Sequence, residues 1–144
     1  MTAHQAVDRP GDGLHPSQII ALALGAAYAL VGVVGFAVTG FDDFAAGNTG
    51  DKLLFFELNP LHNVVHLILG IAGLAMFRTV LGARYYGWAL AVGYAAVFVY
   101  GLFVAGEADG NILSLNAADN LLHLGTVVIS LAGALWPSTE TATR

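Results

Sequence analysis

Apolar residues in this chain gather into four long runs separated by short polar intervals. The first covers 19–38, inside a stretch with no charged residue between Asp12 and Asp42; the second covers 61–77, between Glu57 and Arg78. The third covers 85–105, between Arg84 and Glu107, and the fourth covers 118–136, where Asp119 is the sole charge. An α-helix rises 1.5 Å per residue, so roughly 20 apolar residues cross the ~30 Å hydrocarbon core of a bilayer. The pattern predicts an all-α chain of four transmembrane helices at about 19–39, 60–78, 85–105 and 117–136, with tails at 1–18 and 137–144. The second and fourth helices reach full span only when a polar first turn is counted. No run carries the charged outer face opposite a narrow apolar stripe that a water-soluble bundle requires.

Those two polar first turns resemble one another. Leu58-Asn59-Pro60-Leu61-His62-Asn63-Val64-Val65-His66-Leu67 aligns with Leu115-Asn116-Ala117-Ala118-Asp119-Asn120-Leu121-Leu122-His123-Leu124, so that Asn59 falls on Asn116, His62 on Asp119, Asn63 on Asn120 and His66 on His123. A weaker match joins Ala21-Leu22-Ala23-Leu24-Gly25 to Ala89-Leu90-Ala91-Val92-Gly93. The expected architecture is a four-helix transmembrane bundle built from two parallel-repeat helical hairpins, related by an axis along the membrane normal. Small residues four apart, at Ala21, Gly25 and Ala29 and at Gly87, Ala91 and Ala95, with Gly70 and Gly73 on the second helix, suit close backbone approach within the bundle or against another copy. Between the first two helices, 41–51 reads as an irregular turn region and 52–58 as a short interfacial segment.

Composition agrees with the membrane reading. The chain is 57% hydrophobic and 10% charged, against roughly 45–50% and 25% in soluble domains. Arg78 and Arg84 bracket the link between helices two and three, Arg9 and Arg144 lie in the tails, and Lys52 alone lies in the other two loops. The positive-inside tendency then places both termini in the cytoplasm, with Tyr85, Tyr86, Trp88 and Trp136 as an inner aromatic belt. The expected location is the bacterial cytoplasmic membrane, multi-pass, with the polar stripes starting at the outer face. Met1 to Gln18 is long, polar and of mixed charge, unlike a signal peptide, and is expected to stay as a flexible tail. The net charge of −5 argues against nucleic acid. There is no cysteine, which excludes disulfides and thiolate metal sites.

The stripes carry the candidate chemistry. Asn59 before Pro60 reads as an N-cap, and Asn116 as its counterpart. His66, six residues past Pro60, sits about 9 Å along its helix, shallow but beneath the interface. Ionisable groups at such depth face the bundle and find partners there. If helices two and four meet, His62, His66, Asp119 and His123 form a first shell for Zn²⁺ or another divalent first-row metal, with Asn63 and Asn120 holding the imidazole tautomers. One alternative is haem b with His66 and His123 as axial ligands. Another is an interhelical hydrogen-bond network of Asn, His and Asp that only aligns the hairpins. No charged residue lies near the middle of any span, and no nucleophile, phosphate cradle or carboxylate pair is evident, so an enzyme is expected only as a metal site. The leading reading is a scaffold or accessory membrane protein, alone in the bilayer, as a homo-oligomer or within a larger complex, whose cluster holds a divalent metal or senses protons on the outer side.

The motifs Asn59-Pro60-Leu61-His62-Asn63 with His66, and Asn116-Ala117-Ala118-Asp119-Asn120 with His123 and Gly125, resemble the bacterial membrane family called domain of unknown function 4383, over about Ile19 to Trp136. The resemblance implies a four-helix integral membrane protein and brings no activity or ligand with it.

Overall fold

The computed structural model describes residues 13–137; of the expected tails, 1–12 and 138–144, with Arg9 and Arg144, lie outside the described residues, whereas 16–18, expected in the flexible tail, are helical. Four helices, α1 (Pro16–Thr39), α2 (Pro60–Met76), α3 (Val80–Val104) and α4 (Ala117–Leu135), run up and down beside one another. Each starts on a side-chain cap that accepts an orphan amide of the first turn. His15 Nδ1 accepts from Ser17 N, while Gln18 Oε1 accepts from His15 N, so α1 starts at Pro16 rather than Ile19. Thr79 Oγ1 accepts from Gly82 N at 3.0 Å and starts α3 at Val80, leaving only Phe77, Arg78 and Thr79 between α2 and α3. Asn59 Oδ1 accepts from His62 N at 2.8 Å, and Asn116 Oδ1 from Asp119 N at 3.0 Å.

The chain is inverted relative to a water-soluble bundle. Leu30, Val92, Leu102, Phe103, Leu121 and Val128 are exposed, whereas buried polar and charged side chains outnumber buried hydrophobic ones among the described residues. Water would penalise that surface heavily, and a hydrocarbon solvent would not. The protein is an integral membrane protein: α1, α3 and α4 are each long and apolar enough to cross a bilayer. At 17 residues, α2 extends about 26 Å, the low end of what spanning requires.

Packing is closest between α1 and α2 and between α3 and α4. Glycine makes the first seam. Gly25 lies against Gly73, Gly70 against the Ala29 backbone, and Gly32 against Leu67, so that a Cβ on Gly32 would stand 2.7 Å from Leu67 N. The second seam brings Gly87 to Ser130 and Ala134. α1 and α3 also touch, whereas α2 and α4 lie diagonally with no close backbone approach. At one end Ser17 Oγ donates to Gly133 O, Gln18 Nε2 to Phe77 O and Arg84 Nη2 to Trp136 O. The core of this half is apolar and aromatic, with Ala21, Tyr28, Ala83, Tyr86, Leu90 and Tyr94 packed together.

At the other end the two long loops close over the bundle. Within the segment read as interfacial, 52–58, lies a small antiparallel hairpin, β1 (Lys52–Leu53) with β2 (Phe56–Glu57), pairing Lys52 with Glu57 and Leu53 with Phe56. Its turn has no glycine or asparagine to announce it, and Leu54 takes a left-handed φ of 60°, an uncommon conformation for a side chain of this kind. Tertiary contacts hold it there: Asn116 Nδ2 donates to Phe55 O and Glu57 N donates to Asp119 Oδ2, while within the hairpin Lys52 pairs with Glu57 at 3.2 Å. Asn59 Nδ2 donates to Ala46 O and Ile112 O, which joins the two long loops.

Candidate functional site

α2 and α4 meet through side chains alone, and those side chains are imidazoles. His62 and His66 follow one another by one turn on α2, with ring centroids 4.4 Å apart, and His123 of α4 approaches His62 with centroids at 6.1 Å. One ring nitrogen from each of the three lies within 4.8 Å of the others. All three side chains are buried, and the Nδ1 atom of each has no hydrogen-bond partner. Tetrahedral zinc with Zn–N of about 2.0–2.1 Å sets its nitrogens roughly 3.3 Å apart, so small rotations of the rings would close them on one ion.

Two tyrosines back the triad from beneath. Tyr28 stacks on His66 with centroids 5.2 Å apart, Tyr94 packs on His123 at 5.0 Å, and the two phenols stack on each other at 5.5 Å. Tyr28 Oη shares a hydrogen bond with Thr126 Oγ1 at 2.8 Å, whereas Tyr94 Oη is buried without a partner. The sequence reading missed both tyrosines. Their apolar neighbours on α1 and α3 mark nothing, and only the spacing shared by the pairs Tyr28 and Tyr94, Gly35 and Gly101 pointed to them.

Asp119 stands apart from the imidazole cluster. Its Oδ2 accepts from Asn116 N at 3.0 Å and from Glu57 N at 3.1 Å, so this carboxylate closes a capping box and clamps the hairpin. Asn63 and Asn120 also turn away from the rings. Asn63 Nδ2 donates to Thr39 Oγ1 at 2.9 Å, and its carboxamide fills the space that a side chain on Gly35 would need. Asn120 does the same at Gly101. Among the described residues neither amide hydrogen-bonds to an imidazole. Asn59 and Asn116 serve as caps and loop ties.

The triad is reached by two clefts on opposite sides of the bundle, each with His66 and His123 in its wall. One, about 210 Å³, lies between α2 and α3 beside Leu69, Ala89 and Gly93. The other, about 280 Å³, lies between α1 and α4 beneath the hairpin. Both are lined by apolar side chains apart from the groups already named.

No curated protein and no solved structure matches the chain. A family model does match, over residues 18–136, which takes in all four helices, both loops and every histidine of the triad. The chain that builds this buried imidazole cluster therefore belongs to the family described as domain of unknown function (DUF4383).

Proposed function

We propose that this is a four-span protein of the bacterial cytoplasmic membrane that holds one divalent first-row metal ion, zinc or a similar ion, between His62, His66 and His123 on the extracytoplasmic side. The observation that carries this reading is the convergence of three buried imidazoles whose Nδ1 atoms lack partners. An unsatisfied buried polar atom costs about 1–3 kcal/mol, so three together favour a ligand that would satisfy them. Neutral imidazole suits zinc, copper and nickel, and three such ligands leave one coordination position open. Asp119 is outside the ligand set in this reading and supplies a nearby negative charge. The role that fits is an accessory membrane subunit, and no reaction is assigned to it.

The haem alternative has less support. His62 crowds the space between His66 and His123, where a porphyrin would have to lie. The clefts of about 210 and 280 Å³ also fall below the ~300–1,000 Å³ typical of pockets for drug-sized ligands. The hydrogen-bond network alternative loses its central members, since the Nδ1 atoms have no partners and the asparagines point elsewhere.

We further read the two hairpins as copies of one unit. Like surroundings support this at Tyr28 on His66 and Tyr94 on His123, and at Gly35 on Asn63 and Gly101 on Asn120. The register differs from the match of 21–25 with 89–93, because Gly25 is pressed against Gly73 whereas Gly93 faces open space.

Elemental analysis of protein purified from membranes tests the metal: one equivalent per chain and a colourless or weakly coloured sample are expected. A protein that stays metal-free after zinc and cobalt titration would overturn the reading, and a Soret band lost in His66→Ala would replace it with haem. Topology is tested on intact cells, where the cysteine-free chain allows single labels. A membrane-impermeant thiol reagent should modify Asp109→Cys and spare Arg78→Cys, and the reverse pattern would invert the orientation.

A further inference from the structure

The cleft between α1 and α4 differs from a water-filled entrance in two ways. Its outer end is roofed by Leu53, Phe56 and Leu58 of the hairpin region, which Asp119 and Asn116 clamp to α4. Its sides, by contrast, end in Leu122 and Ile129, which are 45% and 48% exposed on the lipid-facing surface. Hairpin side chains, Leu54 among them, border one end of the cleft, and exposed apolar side chains of α4 border its side.

Gly125 forms part of the wall, one turn from Leu122 and Ile129. The glycines of the α1/α2 seam are there because another backbone stands where a side chain would go, but a Cβ added at Gly125 would meet nothing within 4 Å. Glycine inside a helix costs about 1 kcal/mol relative to alanine, and at Gly125 no helix contact offsets that cost. What the missing side chain leaves is width in the cleft. His66, His123, Asp119, Tyr28 and Thr126 contribute to its inner wall, although nearly all of the surface presented to the cleft is carbon.

Charge narrows the class of occupant. A divalent ion on three neutral imidazoles brings two positive charges into a low-dielectric site. Glu57 is already paired with Lys52, and Asp119 is the single carboxylate in the cleft wall. One positive charge is left over, and a buried charge without compensation is expensive. An anionic oxygen ligand arriving on an alkyl chain would fill the open coordination position and cancel that charge while its tail stays among apolar side chains.

We infer that the α1/α4 cleft admits a single-chain carboxylate amphiphile sideways from the bilayer and delivers its head group to the ion held by His62, His66 and His123. This rests on the metal reading above and names the class of molecule that the same site takes.

The test uses the full chain in phosphatidylcholine nanodiscs, loaded with Co²⁺ and titrated with dodecanoate while the visible d–d absorption is followed. Dodecanoate should shift the wild-type spectrum, and acetate at the same concentration should not. Gly125→Phe, with Gly125→Leu as a smaller plug, should keep the Co²⁺ spectrum but need at least tenfold more dodecanoate, whereas Val92→Phe, on the exposed face of α3 away from both clefts, should respond as wild type. A spectrum equally sensitive to acetate, or a Gly125→Phe response equal to wild type, would overturn the inference, since chain length would then report only partition into lipid. If wild-type protein gives no Co²⁺ band at all, the metal reading is the one that fails. In that case the electron paramagnetic resonance spectrum of a nitroxide-labelled stearate decides the cleft: an immobilised component that disappears in Gly125→Phe sustains the chain site, and its absence ends it.

Discussion

Gly70→Leu should prevent α1 and α2 from docking and leave little folded protein. A Cβ at this position would run into the backbone and side chain of Ala29, and neither can move unless the whole of α1 retreats. In a bilayer no hydrophobic drive holds helices together, so dispersion contact along such a seam is a principal source of association. Overpacking of a core usually costs about 1–3 kcal/mol; here rigid backbone is the obstacle, and we expect a loss above about 4 kcal/mol, a large share of the roughly 5–15 kcal/mol that keeps a domain folded. Unfolding in detergent mixtures followed by circular dichroism measures it. Gly93→Leu is the matched control, because a Cβ there meets nothing within 4 Å, and it should be as stable as wild type or up to about 1 kcal/mol more stable, since glycine inside a helix is disfavoured by about that much. Equal midpoints for the two variants would show that the seam does not bear on stability.

His123→Ala should weaken metal binding by about a thousandfold or more, with His62→Ala and His66→Ala close behind. Groups outside the first coordination shell of a metal typically change affinity by about 10–100-fold, and a lost ligand should exceed that range. Asp119→Asn should therefore fall within or below it, and Asn63→Ala should have less effect still, because that amide faces Thr39 and Gly35 instead of the rings. Competition with a chromophoric chelator measures all of these. Stability supplies an independent check with the opposite sign from a structural role. In metal-free protein, His123→Phe removes a buried nitrogen that has no partner, and exchanging an unsatisfied polar group for an apolar one of similar shape is neutral or stabilising. A marked loss of metal-free stability in His123→Phe, together with unchanged metal affinity, would return the triad to a purely structural role.

The site was legible in part. Polar residues at helical spacing in otherwise apolar runs singled out the first turns of α2 and α4, because a side chain that costs energy in lipid must face inward. That rule says which face turns in and leaves open which partner each group finds. Asp119, Asn63 and Asn120 share the inward stripes with the histidines, yet one caps α4 and clamps a hairpin while the other two fill glycine notches on α1 and α3. Tyr28 and Tyr94 had no signal of this kind, since aromatic residues are at home in a span. The hairpin at 52–57 was likewise unmarked: its turn residues are Leu54 and Phe55, and contacts from α4 hold it.

Amino-acid order alone dictated that this chain is helical, that it resides in a membrane and that its polar faces point inward, because each follows from local periodicity and from the cost of polar groups in hydrocarbon. Selection of His62, His66 and His123 from those faces belonged to the three-dimensional arrangement. α2 and α4 have no close backbone approach, so the meeting of their rings depends on how glycine seams far along the chain set the depth and rotation of each helix. Such rotations come from summed contacts among residues distant in sequence, which no local pattern records.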